Sequence, residues 1–404
     1  MGITVMVALV IALALFFDFT NGFHDTANAM ATPIATGAIK PKTAVALAAV
    51  LNLVGAFLST EVAKTVSGGI IREGDGFHIS PELVFAGLMG AILWNMITWL
   101  KGLPSSSSHA LFGGLIGAAI AGIGIDSVNF ASVLQKVILP AVFAPVIAGG
   151  VAYLCTRLAY ALTSRHNPET GDKLTQKRGG FRTGQIFTSS LVALAHGTND
   201  AQKTMGIITL VLIAAGSQAA GSGPQWWVIG ACALAIAIGT YAGGWRIIRT
   251  MGAGLTEVKP AQGFAAEAST ASAILASSHL GFALSTTQVA SGSVIGSGMG
   301  RRGTTVRWGT AGKIAVGWLF TLPAAGIVGA LTALLVNTGV GGVVIAAVAG
   351  TAAVSYMFVH SRKSHVGHHN AVEVEEAGQI VEFRKKKSAG KPGKDPSKNK
   401  DAQR

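Results

Sequence analysis

An ionisable group in the middle of a long apolar segment is the feature that most constrains this chain. The apolar run at residues 3–39 contains Asn21, Gly22, His24, Asp25 and Asn28. A carboxylate at bilayer depth is expensive, so it marks a functional site. The run exceeds the about 20 residues that one straight span needs, and Asn-Gly is a typical break point. We therefore expect a span that ends near Asn21 and a half-helix at residues 25–39.

The same construction recurs in the apolar run at residues 186–215, which we expect to divide into spans at 186–195 and 201–215. Aligned without gaps, the two motifs share their glycine and their carboxylate. Two carboxylates in matching frames indicate an internal duplication. The aligned pairs are Gly22 and Gly197, Asp25 and Asp200, Asn28 and Lys203, and Met30 and Met205.

Two further pairs of segments match in the same order along the chain. Residues 103–109 contain a serine cluster and are followed by two glycines four residues apart, and residues 284–288 repeat that arrangement. Residues 64–70 match residues 249–255. Three matches at similar separations make the duplication the strongest inference from the sequence.

Composition places the chain in the membrane. Hydrophobic residues make up 50% of it and charged residues 12%, with 53 glycines and a mean hydropathy of +0.51. This excludes an ordinary soluble enzyme, and apolar runs without alternation argue against a membrane β-barrel. The formal charge of +13 lies mainly in loops and the tail, which fits cytoplasmic segments better than a nucleic-acid partner. We expect an all-α polytopic protein with broken or re-entrant helices and about eleven or twelve membrane segments.

Charge placement predicts the orientation of the two halves. An odd number of predicted crossings separates the two motifs, so the halves should be inverted-topology repeats. Basic loops then fall on the cytoplasmic side and the acidic loop near Glu73 and Asp75 outside. In the plasma membrane, the N-terminus is expected outside. The predicted segments are membrane repeat 1 (1–162), a basic cytoplasmic linker (163–184), inverted repeat 2 (185–340), a final transmembrane helix (341–360) and a disordered basic cytoplasmic tail (361–404).

The repeated motifs suggest an anion and its accompanying cations. The Ser/Thr clusters begin apolar segments, where a half-helix N-terminus and its hydroxyl groups favour an anion. Asp25 and Asp200 would repel a lone anion, but with amide and hydroxyl oxygens they suit cations bound beside it. This pattern predicts coupled anion import. The candidate anion ligands are Ser106, Ser107, Ser108, Ser285, Thr286 and Thr287.

Each candidate also has a structural alternative. Membrane Ser and Thr side chains often bond their own backbone, and either aspartate could pair with a neighbouring helix. His24 and His196 could be satisfied polar packing. Lys203 could neutralise Asp200 or meet the substrate. Glu267, which begins an apolar span, could be interfacial or could bind a cation or proton.

Five segments together resemble the PiT family of inorganic phosphate transporters: residues 21–29, 104–113, 197–203, 263–267 and 285–292. The resemblance covers roughly residues 3–340. It implies symport of inorganic phosphate with Na⁺ or H⁺, in bacterial members often as a neutral metal–phosphate complex, with no bound cofactor and with a homodimer. By the resemblance, Asp25, Asn28, Asn199 and Asp200 join the cation and phosphate site, and the two hydroxyl clusters contact phosphate.

The chain departs from the family pattern at two positions. His24 replaces an asparagine, and Gln288 replaces a histidine. A titratable His24 beside Asp25 favours proton coupling. The complete set of candidates is Asn28, Ser106, Ser107, Ser108, Asn199, Lys203, Ser285, Thr286 and Thr287 for substrate, and His24, Asp25, Asp200 and Glu267 for the coupling ion, with Asp25 and Asp200 also as metal ligands.

Three rivals to phosphate symport stay open on the sequence. The same ligand types suit a permease for another oxyanion such as sulfate. An intramembrane hydrolase could use Ser108, His109 and Asp25, although adjacent helical residues point about 100° apart. A channel is the third rival, and it has no need for carboxylates matched to an anion clamp.

Overall fold

The computed structural model describes residues 4–68, 70–72, 79–163, 179–362, 366–368 and 370. Within them the regular elements are helices, and a π-helical turn at Leu134–Ile138 joins α6 to α7. The helices are α1 (Val5–Ala35), α2 (Pro41–Gly55), α3 (Glu61–Gly68), α4 (Pro81–Leu100), α5 (Ser107–Gly122), α6 (Phe130–Val133), α7 (Leu139–Thr163), α8 (Gly179–Ala214), α9 (Trp226–Ala242), α10 (Trp245–Ala253), α11 (Pro260–His279), α12 (Thr286–Gly300), α13 (Trp308–Val336) and α14 (Val340–Ser361).

The described residues contain five helical spans that are long and apolar enough to cross a membrane: α1, α4, the continuous α6–α7 segment, α13 and α14. The pair α9 and α10, bent by 67°, makes a sixth if it is one span. This is fewer than the predicted eleven or twelve. The difference arises because α2, α5 and α12 are short, while α8 and α11 carry more polar residues.

The predicted breaks inside the two aspartate motifs are wrong. Helix α1 runs without interruption from Val5 to Ala35, and α8 from Gly179 to Ala214. Glycine has a packing role at these points, because a Cβ on Gly22 would overlap the carbonyl oxygen of Ile236, and one on Gly197 that of Asn52. Small residues let membrane helices approach this closely. The motif glycines therefore hold helices together instead of ending them.

The chain breaks instead just before each Ser/Thr cluster. Gly102 and Gly281 have left-handed backbone angles, with φ of 65° and 72°, and end α4 and α11 as glycine commonly does. Ser106 and Ser285 then cap α5 and α12, accepting hydrogen bonds from the main-chain N–H groups three residues later. The prediction that both clusters begin helices is confirmed.

The two halves exchange their last long helices. Helix α13 packs on α4 and α5, and α7 packs on α11 and α12. Glycines permit the close contact in both pairs: a Cβ on Gly113 would overlap the carbonyl oxygen of Leu322, and one on Gly292 that of Pro145. The main core lies around α1, α4, α5, α8 and α9, so the site is built between halves.

The remaining boundaries concern the linker and the C-terminus. Because α8 begins at Gly179, the end of the predicted linker at 179–184 is helical, which corrects that boundary. Helix α14 covers the residues 341–360 at which the final transmembrane helix is predicted. Residues 164–178, the loop positions Glu73 and Asp75, and nearly all of the predicted disordered tail lie outside the described residues.

Candidate functional site

Helices α1 and α8 bring the two motif aspartates together inside the protein. Asp25 and Asp200 are 1% and 0% exposed, and His196 of α8 lies between them. Its Nε2 atom is 3.0 Å from Asp200 Oδ2 and 4.0 Å from Asp25 Oδ2. One ligand atom from each of the three residues falls within 4.8 Å of the others. A buried group of this kind can hold a cation.

Hydroxyl groups from the first turns of α5 and α12 surround these carboxylates. Ser107 donates to Asp25 Oδ2 at 2.9 Å, and Thr287 donates to Asp25 Oδ1 at 3.2 Å. Thr286 Oγ1 lies 3.2 Å from Asp200 Oδ2 and 3.5 Å from Asp25 Oδ2. Thr286 therefore bridges the two aspartates, although its single proton serves one carboxylate at a time.

The aligned residues Asn28 and Lys203 each reach the hydroxyl cluster of the other half. Asn28 Nδ2 donates to the hydroxyls of Thr286 and Thr287 at 3.2 and 3.1 Å. Lys203 Nζ donates to Ser108 Oγ at 2.6 Å and to a main-chain carbonyl of the second break at 3.1 Å. It also forms a short ion pair with the Oδ1 atom of its own helix's aspartate. All three ammonium protons are thus engaged.

Each histidine is oriented by a specific partner. His24 Nδ1 donates to Asp25 Oδ1 at 2.6 Å, and its Nε2 lies 3.4 Å from the hydroxyls of Thr98 and Ser105. His196 Nδ1 pairs with Asn52 Oδ1 at 3.1 Å. The amide nitrogen of Asn52 donates to the Thr240 hydroxyl at 2.7 Å, which leaves its oxygen to accept from the histidine. The His196 Nε2 that faces the aspartates therefore carries either a lone pair or an additional proton.

Two predicted site residues lie apart from the aspartate pair. Asn199 Nδ2 donates to Ser278 Oγ at 3.0 Å, beside the second helix break. Glu267 is buried on α11 and accepts hydrogen bonds from Thr188 at 2.8 Å and from Gln185 at 3.2 Å, and a short one from Thr32. Contacts in the described chain do not join Glu267 directly to the aspartates. It forms a separate buried acidic centre.

Comparison with known proteins identifies this architecture. Residues 21–329 match the phosphate transporter family. The chain belongs to this family. Proteins named "probable low-affinity inorganic phosphate transporter" are similar to it: the one from Mycobacterium bovis is 54% identical, over 90% of this chain and 86% of its own length. The one from Bacillus subtilis is 39% identical, over 82% of this chain and 98% of its own length.

A solved structure, "The sodium-dependent phosphate transporter", has the same fold. It superposes with a TM-score of 0.72 at 23% identity, and the match covers 83% of this chain and all of that one. The apolar helices and the family together make this a multi-pass membrane protein. The resemblance to the PiT family is confirmed, and so is the prediction of a transporter and not an enzyme.

Sequence reasoning about this transporter missed the groups that orient its histidines. Asn52 and Thr240 are polar residues in largely apolar helices, and Thr98 precedes the first break. Only Asn52 gave a usable signal, because a lone amide in an apolar helix needs a partner. The residues of the hydrolase alternative are not assembled as that alternative requires. The serine that contacts Asp25 is Ser107, whereas Ser108 contacts Lys203.

Proposed function

We propose that this protein is a secondary active symporter that imports inorganic phosphate with H⁺ or Na⁺ by alternating access. One observation carries the proposal: two helix N-termini, one from each half, direct their hydroxyls at two buried carboxylates. Helix N-termini favour anions, and paired carboxylates favour cations. The names of the relatives supply phosphate as the anion and give no support to sulfate.

The phosphate ligands in this proposal come from both halves. Hydroxyl donors come from Ser107, Ser108, Thr286 and Thr287. Asn28 and Lys203 donate hydrogen bonds to hydroxyls of this set. Ser106 and Ser285 contribute indirectly, because their oxygens cap α5 and α12. Asn199 extends the site at the second break, where its Oδ1 has no hydrogen bond within the described residues. These groups can hold an oxyanion with one permanent positive charge, which favours release.

Coupling follows from competition for the same hydroxyl protons. Without a cation, Asp25 and Asp200 accept hydrogen bonds from Ser107, Thr286 and Thr287. A cation bound between the carboxylates and His196 Nε2 weakens their hold on these protons. The hydroxyls are then free to turn towards phosphate oxygens. Each ligand therefore increases the affinity for the other, as linkage requires.

The fixed charges suggest how many cations accompany phosphate. With both histidines neutral, Asp25, Asp200 and Lys203 leave one net negative charge in a buried site. A monovalent phosphate adds another, and buried charge must be compensated. Two monovalent cations, or one divalent metal carried with phosphate, restore neutrality. A ratio of about two ²²Na⁺ or protons per [³²P]phosphate is expected, and a ratio below one would contradict this count.

The exchanged packing of α7 and α13 supports an arrangement as two inverted repeats with re-entrant α4–α5 and α11–α12 pairs. We propose an outside N-terminus and a cytoplasmic linker and tail on the positive-inside rule. Glu267, in this proposal, is a proton or cation site on the cytoplasmic side of the aspartates. The homodimer stays a prediction from the family.

The deciding experiment is [³²P]phosphate uptake into proteoliposomes under an imposed Na⁺ gradient or an imposed pH gradient with and without an uncoupler. Saturable, gradient-driven uptake is expected, and Asp25→Asn should abolish it while the protein elutes normally on size exclusion. Asp126→Asn is the matched control, because Asp126 is exposed in a short 3₁₀ turn between α5 and α6. No saturable uptake under either gradient would remove the phosphate assignment, and flux without saturation would favour a channel.

A further inference from the structure

Asp18 is a buried carboxylate that the site described above does not use. It lies on α1 and is 0% exposed. Neither of its oxygens has a hydrogen-bond partner within the described residues. An ionised carboxylate without donors in an apolar interior is costly, so such a group binds a proton or a cation, or pairs with a base.

The base that acts on Asp18 already has other partners for its protons. Lys203 acts on Asp18 electrostatically, but its three ammonium protons go to Asp200, Ser108 and the Leu284 carbonyl. The other titratable groups that act on or near Asp18 are Asp200 on α8 and Cys232 on α9. Asp200 is repulsive and the thiol is neutral, so the local environment calls for added positive charge.

Oxygen ligands without partners lie around Asp18. Asn21, one turn further along α1, is buried and its amide has no hydrogen bond within the described residues. Thr204 of α8 lies close enough to interact with the Asp18 carboxylate, but its buried hydroxyl does not reach hydrogen-bond geometry with it or with any other group of the described residues. Carboxylate, amide and hydroxyl oxygens together are the ligands that hard cations prefer.

The duplicated fold does not require this carboxylate. In the alignment that pairs Asp25 with Asp200, Asp18 corresponds to Ala193. The second half therefore builds the same helix and packing without an acidic residue there. Asp18 is an addition to one half of the scaffold.

Asp18 also continues a polar stripe on α1 that leads to the central aspartates. Residues three, four or seven apart share a helix face, and Asp18 and Asp25 are about 10 Å apart along the axis. Beyond Asp25 the stripe reaches Thr32, which contacts Glu267. The members of the stripe are Asp18, Asn21, Asp25, Asn28 and Thr32.

We propose that Asp18, Asn21 and Thr204 form a second site for a monovalent cation, either Na⁺ or a proton, on the outer side of the aspartate pair. The inference rests on the proposed symport function and deepens it. A cation entering from outside binds at Asp18 first, offsets the repulsion from Asp200, and moves along the α1 stripe to the central site. In this arrangement Asp18 sets the affinity for the coupling cation and leaves the phosphate ligands untouched.

The test titrates the cation with and without phosphate transport. Asp18→Asn keeps the shape and removes the charge, and Asp126→Asn is the matched control. In proteoliposomes, Asp18→Asn should raise the half-saturating cation concentration by about tenfold or more, with the half-saturating phosphate concentration at high cation nearly unchanged. If the two proteins differ in how their uptake depends on Na⁺, with choline as the replacement, the cation is Na⁺. If they differ only in how their uptake depends on pH, the cation is the proton.

A binding measurement separates this inference from the proposed function. Purified wild type should bind more ²²Na⁺, or release more protons on a pH step, than Asp18→Asn in the absence of phosphate. If wild type transports phosphate and Asp18→Asn has the same cation dependence, the Asp18 site is refuted. If wild type does not transport phosphate, the proposed function fails, while the binding difference still tests Asp18.

A second variant tests the site in case Asp18→Asn does not fold. Thr204→Val retains the carboxylate and should shift the cation dependence in the same direction. Thr209→Val is its control, because Thr209 is equally buried on α8 with an unpaired hydroxyl in the described chain but faces the other side of the helix. Equal behaviour of the two valine variants would contradict the site.

Discussion

The buried pair of Lys203 and Asp200 gives the sharpest test of the central site. Both side chains are 1% exposed or less, and the ammonium also donates to Ser108 Oγ and to a main-chain carbonyl. Lys203→Met leaves Asp200 buried without its cation. Removing one partner of a buried ion pair costs about 3–5 kcal/mol, so we expect a large loss of stability in this variant.

The double-mutant cycle with Asp200→Asn measures the pair itself. Within the pair, Lys203→Met leaves the carboxylate without its ammonium partner and Asp200→Asn leaves the ammonium without its carboxylate partner, whereas the double variant removes both charges of the pair. The double variant should therefore be destabilised by less than the sum of the singles, with a coupling of about 0.5–3 kcal/mol. The measurement is unfolding of the purified protein in detergent, followed by heat and by denaturant. Additive effects of the two substitutions would refute the ion-pair reasoning.

Phosphate binding to the same variants decides between the two roles left open for Lys203. If Lys203 only neutralises Asp200, the double variant should bind [³²P]phosphate better than Lys203→Met. If Lys203 contacts phosphate directly, the double variant should bind as poorly as Lys203→Met. Lys203→Asn, which introduces the residue of the first motif, shows whether an amide can replace the charge.

Three further predictions follow from single contacts. Gly22→Ala places a methyl group against a main-chain carbonyl oxygen of α9 and should cost about 1–3 kcal/mol, seen as a lower melting temperature than Gly312→Ala, which has open space. Thr286→Val removes the hydroxyl that bridges both carboxylates and should weaken phosphate binding about tenfold, unlike Thr332→Val, whose hydroxyl bonds its own helix. Asn52→Ala removes the hydrogen bond that orients the His196 ring and should raise the half-saturating cation concentration at least about tenfold. Unchanged uptake kinetics would contradict a role for Asn52 in orienting His196.

The sequence predicted the places where hydroxyl clusters begin helices but misplaced the breaks at the aspartate motifs. Gly102 and Gly281 end helices because they adopt left-handed angles, which glycine does readily. Gly22 and Gly197 are equally conspicuous in the sequence, yet they serve close packing against neighbouring backbones. Local composition cannot separate these two uses of glycine. The choice depends on which helix lies opposite, and that is a long-range property.

The residues of the candidate site were more predictable than the residues that orient its histidines. Asp25, Asp200 and the hydroxyl clusters were found because they are polar, lie in apolar runs and occur twice. Asn52 and Thr240 act on His196 from another helix pair, and no local pattern assigns that contact. Asp18 has no counterpart in the second half, so the duplication, which was the most productive signal, drew attention away from it.

The duplicated frame fixes where side chains act, and the substitutions within it fix their chemistry. Asn28 and Lys203 occupy equivalent positions, and each crosses to the hydroxyl cluster of the opposite half. His24 and Asn199 are also equivalent, and each contacts the break of its own half. The two halves thus place these side chains in equivalent positions but give them different charges. A neutral amide in one half is aligned with an ammonium or an imidazole in the other. The alignment of the two motifs could locate all four residues, but only their individual chemistry makes the two sides of the candidate site unequal.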